Sequence, residues 1–137
     1  MGNAGATGPP GPAGPVGPVQ ILFNSGGHNI SANQFVGVSI QNSQEVPTQQ
    51  LVAVSGHFTA MYCATGAAPG GATSVTFTLR KNGADTSLTC TITGLGTSGG
   101  TTGASVAFNV GDLLDVAVPN NLGGANKTAT FAVVIGP

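Results

Sequence analysis

Six Gly-X-Y triplets run without a break from Gly2 to Val19. They are Gly2-Asn3-Ala4, Gly5-Ala6-Thr7, Gly8-Pro9-Pro10, Gly11-Pro12-Ala13, Gly14-Pro15-Val16 and Gly17-Pro18-Val19. A strict period of three fits a triple helix, whose axis is so crowded that only glycine is accepted at every third position. Pro9, Pro12, Pro15 and Pro18 fill X, and Pro10 fills a Y position. Each fixes φ near the polyproline value that such a helix needs. A disordered Pro/Gly linker has no reason to keep this register. Gly2, Gly5, Gly8, Gly11, Gly14 and Gly17 are therefore expected at the axis of a homotrimer.

The chain divides at the end of the repeat. Residues 1–19 form the expected collagen-like stalk, and 20–137 have the size of one domain able to bury a core. Only 5% of the chain is charged, against about 25% in ordinary domains. The charges are Glu45, Arg80, Lys81, Asp85, Asp112, Asp115 and Lys127, with a net charge of −1. Nucleic acid and anionic membrane both call for clustered Lys and Arg, so neither is an expected partner. No apolar run reaches the length of a membrane-spanning helix. Met1 leads straight into Gly2 without a basic or apolar leader. Either the chain is a piece of a longer one, or it reaches its destination without Sec export.

Beyond the stalk, short β-branched runs alternate with Gly, Asn and Pro clusters. Strands are expected at 20–23, 34–40, 51–54, 56–63, 74–81, 87–93, 105–110, 113–118 and 128–135. Val75, Phe77 and Leu79 point one way while Thr76, Thr78 and Arg80 point the other, as in a half-buried strand. Leu88, Cys90 and Ile92 alternate with Thr89, Thr91 and Thr93 in the same way. Asn82-Gly83 between these runs predicts a type I′ hairpin, which puts Cys90 on the buried face with Phe77. The stretches 66–71 and 94–103 are expected as Gly-rich loops. The last run is apolar on both faces, which fits a central strand or a subunit interface. Many short strands with regular turn signals predict an all-β sandwich or jelly roll.

Chemistry-bearing motifs are few. Cys63 and Cys90 match no zinc or redox spacing; one disulfide and two buried thiols both fit. His28 and His57 have no metal-ligand neighbours in sequence and are expected to be structural, the alternative being a ring of symmetry-related His on the trimer axis. Asp112 and Asp115 fall short of the six to eight oxygens calcium takes, and Asp112 after Gly111 reads as a turn residue. No nucleophile elbow, zinc-protease helix or phosphate loop occurs. No catalytic, metal or cofactor residue is expected, and the chain is not expected to be an enzyme. Asn29-Ile30-Ser31 and Asn126-Lys127-Thr128 match the N-glycosylation tripeptide, without the compositional context of a glycosylated secreted protein. Tyr62, on the face of Phe58 by alternation, is expected in the core.

The stalk, the entry segment Ile21-Leu22-Phe23-Asn24, the block from Val75 to Thr86, Leu88-Thr89-Cys90-Thr91-Ile92 and Val110-Gly111-Asp112-Leu113-Leu114-Asp115-Val116 carry a resemblance. Together they resemble the collagen-like glycoproteins of the bacterial spore exosporium. The resemblance implies a trimeric C1q/TNF-like jelly-roll head at 20–137 carried on the stalk. It implies a structural fibre on the spore surface, made in the mother-cell cytoplasm and held by a basal-layer or fibre-anchoring protein. That family attaches glycan at Thr in Y positions, here Thr7 alone. A cytosolic origin equally suits the tip of a phage or viral tail fibre, whose partner would be a host receptor or glycan. The loops hold mainly Gly, Ser, Thr, Ala and Asn, which favours the structural reading.

Overall fold

A computed structural model describes residues 19–136 together with Gly5 and Gly8. Gly2, Gly11, Gly14, Gly17 and Thr7 lie outside the described residues.

Two antiparallel sheets face each other, an all-β arrangement consistent with a jelly-roll sandwich. In chain order the strands are β1 (Val19–Asn24), β2 (Phe35–Val36), β3 (Gln41–Asn42), β4 (Gln50–Leu51), β5 (Gly56–Thr65) and β6 (Ser74–Lys81). They continue with β7 (Ala84–Thr93), β8 (Ser98–Thr101), β9 (Val106–Phe108), β10 (Leu113–Ala117) and β11 (Ala129–Gly136). A 3-10 turn spans Val46–Thr48. The first sheet runs β1-β11-β5-β8, with β9 also on β5; the second runs β3-β2-β10-β6-β7, with β4 also on β10.

The alternation of the β6–β7 hairpin builds the middle of the sandwich. Val75, Phe77 and Leu79 are buried opposite Leu88, Cys90 and Ile92. Asn82 and Gly83 both take positive φ, as a type I′ turn requires. Phe77 meets Phe131 of the first sheet edge to face at 4.9 Å, and Phe58 stacks on Phe108 at 4.1 Å. Cys63 on β5 and Cys90 on β7 form a disulfide that ties one sheet to the other inside this core.

Several expectations need correction. The run 34–40 is not one strand: it breaks after Val36 and resumes as β3. Gly37 donates its N–H to Ile40 and Ser39 takes positive φ, forming a tight bend. A Cβ at Gly37 would collide with the Thr48 carbonyl, so this bend is also where another segment crosses. The expected strand 51–54 is reduced to Gln50–Leu51. The expected loop 94–103 contains β8, a strand built from Ser-Gly-Gly-Thr. A Cβ at Gly99 would strike the Thr91 carbonyl, so close backbone approach, not β propensity, selects this sequence. β1 opens at Val19, one residue before the expected boundary, and pairs there with Ile135.

Candidate functional site

Tyr62 is not a core residue. Val134 pairs with Ala60 but Ile135 pairs with Phe58, so Thr59 is an extra residue on β5. This bulge reverses the alternation. Phe58 points inward before it, and Met61 and Cys63 point inward after it. Tyr62 is turned to the outer face, 45% exposed.

There it joins a cross-strand row. Leu22 on β1 lies opposite Ala132 on β11, Ala132 opposite Tyr62, and Tyr62 opposite Gly100 on β8. The Tyr62 ring lies over Gly100; a Cβ there would come within 2.7 Å of the ring. A ring laid over a cross-strand glycine is a recognised way of stabilising a glycine in a sheet. Leu22 is 54% exposed although apolar. Around this row opens a shallow cleft of about 430 Å³, walled by Ala64, Ser98 and Thr130. The strands of this sheet contain no Asp, Glu, Lys or Arg. Its outer face is therefore uncharged, with the apolar Leu22, Ala132 and Tyr62 set among the polar Gln20, Asn24 and Thr130, and depletion of charge is what marks an interface core.

The charged residues other than Lys127 lie on or beside the second sheet. Arg80 Nε donates to Glu45 Oε1 at 2.6 Å, and its NH2 group reaches Glu45 Oε2 at 3.1 Å. Its Nη1 donates to Asp85 Oδ1 at 2.6 Å, and the Gly83 carbonyl accepts from Nη2. The guanidinium lies 5.5 Å from the centre of the Phe35 ring. Arg80 holds the Glu45 carboxyl below its usual range, while Glu45 raises Arg80. Asp115, beside Arg80 in the sheet register, is 0% exposed. Burial and the adjacent Glu45 carboxylate push its carboxyl up to about 7. Asp115 Oδ1 has no hydrogen-bond partner.

The remaining sequence candidates fall apart from one another. Asp112 sits in the turn before β10, where the Asn109 N–H and the Asn82 amide donate to its carboxylate and lower its pKa. It and the buried Asp115 do not form one site. His28 and His57 are both exposed. Among the described residues no three His, Cys, Asp or Glu side chains are grouped as for a metal ion. Ile30, inside one glycosylation tripeptide, is a core residue. Sequence reasoning missed the Leu22–Ala132–Tyr62 row; the signal available for it was the absence of charge from all strands of one sheet.

No protein-family model matches the chain, and no curated protein matches it.

Proposed function

We propose that this chain is the subunit of a homotrimeric surface fibre, in which a collagen-like stalk carries a C1q/TNF-like head. The observation that carries the reading is the junction between the repeat and the fold. The last triplet ends at Val19, and Val19 is the first residue of β1. β1 is the edge strand of the charge-free sheet. Three chains in a triple helix leave it side by side, so three copies of β1 must start close to one axis. That brings the sheet with the exposed Leu22, Ala132 and Tyr62 toward the axis, where three copies can cover each other's apolar faces. Gly5 and Gly8 support the same conclusion. A Cβ at either meets no atom of the described residues within 4 Å. In the proposed trimer the crowding that selects glycine comes from neighbouring chains.

Such a fibre acts by assembly: the head fixes the trimer and its register, and the stalk spaces the head from the surface. On the sequence resemblance, that surface would be a bacterial spore, with a basal protein as anchor. The test is the native mass of the full chain and of residues 19–137. Trimers in both support the head as the assembly element; a monomeric head sinks it.

One observation favours a second reading, a receptor- or glycan-binding fibre tip. The second sheet carries a cleft of about 300 Å³ lined by Asn33, Gln34, Phe35, Thr76, Thr78 and Asp85, among others. Amides, hydroxyls and one ring beside the Arg80–Asp85 ion pair suit a polar, uncharged ligand such as a saccharide. Retention of the head on a panel of immobilised glycans, abolished by Thr78→Val, would move the assignment to that reading.

A further inference from the structure

Residues 43–49 cross the outer face of the second sheet and bury Asp115 beneath them. The 3-10 turn supplies Thr48, itself fully buried, and the residue before the turn is Glu45. We propose that this segment is a pH-sensitive strap, closed while Asp115 is protonated beside ionised Glu45 and loosened when both carboxyls carry charge.

Hydrogen counting supports the closed state. The Thr48 hydroxyl lies 2.7 Å from the Glu45 carbonyl and 3.0 Å from Asp115 Oδ2. A hydroxyl has one hydrogen to give. If it goes to the carbonyl, the contact with Asp115 needs a proton supplied by Asp115. An ionised Asp115 would instead leave two acceptors competing for one hydrogen, with Oδ1 still lacking a donor. It would also place a second negative charge beside Glu45, and two adjacent carboxylates resist ionising together.

The groups facing Asp115 leave no other source of relief. From the strap it meets Glu45 and Thr48; from β6 it meets Arg80, with Asp85 of β7 beyond. Arg80 directs its donors to Glu45, Asp85 and the Gly83 carbonyl. Pairing with an ionised Asp115 would therefore draw Arg80 away from the Glu45 contact that fastens the strap. In either case ionisation loosens residues 43–49. Arg80 also lines the neighbouring polar cleft, so the charge presented there changes with the strap.

The strap has its own reporters. Thr48 N–H bonds the Glu45 carbonyl and Gln49 N–H bonds the Val46 carbonyl. Their amide-exchange protection, corrected for intrinsic rate, is to be measured on the full chain from about pH 5 to pH 8.5. Protection is expected to fall about tenfold at both positions while the Phe77 amide in the core holds. Asp115→Asn keeps a donor toward Thr48 without a titrating group, and should hold protection within about twofold over that range. A flat profile in the native chain would overturn the proposal, as would an equal fall in Asp115→Asn. If that variant does not fold, Glu45→Gln replaces it. With the repelling charge gone, Asp115 ionises more readily, so its fall should move to lower pH, and an unmoved fall counts against the strap.

Discussion

Asp115 and Glu45 work against each other across the pH range. Asp115 is held above its unfolded value, so the folded chain takes up a proton there. Its contribution to stability is fully present below about pH 4 and is lost as pH rises through about 7. Glu45 is held below its ordinary value, mainly by Arg80. Its contribution is present above the unfolded carboxylate range and is lost on acidification. The head should therefore be most stable in mildly acidic solution, and its urea midpoint should fall between about pH 5 and pH 8. Asp115→Asn should remove that falling limb and leave the acid limb in place. A midpoint that rises through neutrality would show that Asp115 is ionised in the fold. Sequence pattern could not reveal this residue. Leu113, Asp115 and Ala117 alternate with buried Leu114 and Val116, so Asp115 reads as a wet-face residue. It is buried because a distant segment crosses over it.

Elements were legible where side-chain pattern makes them and hidden where space makes them. β6 and β7 announce themselves through apolar–threonine alternation, and Asn82-Gly83 fixes their turn. β8 carries no such signal, because Gly99 and Gly100 are there for what a side chain would hit. This gives a prediction for the element. Gly99→Ala forces a Cβ against the Thr91 backbone carbonyl, which cannot swing aside as a side chain can. The strand should be pushed from its place beside β5, at a cost of about 1–3 kcal/mol as for other overpacked sites. A denaturant melt reads the loss, and exchange at Gly100 and Thr101 localises it. An unchanged melt would mean that β8 is not seated between β5 and β7. Alternation misled at β5 for a different reason. One extra residue, Thr59, flips every later side chain, and a bulge leaves no mark in hydrophobic pattern.

At the scale of the whole molecule, the proposed trimer makes separate predictions for the head and for the triplets. The outer face of the first sheet offers Leu22 to solvent in a single chain. Three chains on one axis, as proposed, would cover it. Leu22→Glu leaves the sandwich core untouched, since the side chain is on the outer face, but brings three carboxylates together in the proposed trimer. Native mass should drop to the monomer while circular dichroism of the sheet stays unchanged; a persisting trimer would move the interface elsewhere. The stalk is tested separately. As a triple helix, eighteen residues at roughly 3.1 Å each would make a rod of about 55 Å, too short to be secure without help. A trimeric head, as proposed, would hold the three chain starts at an effective concentration on the order of millimolar, so rod formation would become an intramolecular zippering. Gly8→Ala adds one methyl group, which meets no atom of the described residues within 4 Å. In the triple helix that methyl meets two other chains at the axis. Melting followed by the polyproline-type dichroism should therefore fall sharply for Gly8→Ala in the full chain. The head's own unfolding and its native mass should not move. Equal melting of the two rods would show that the period of three is not read by neighbouring chains.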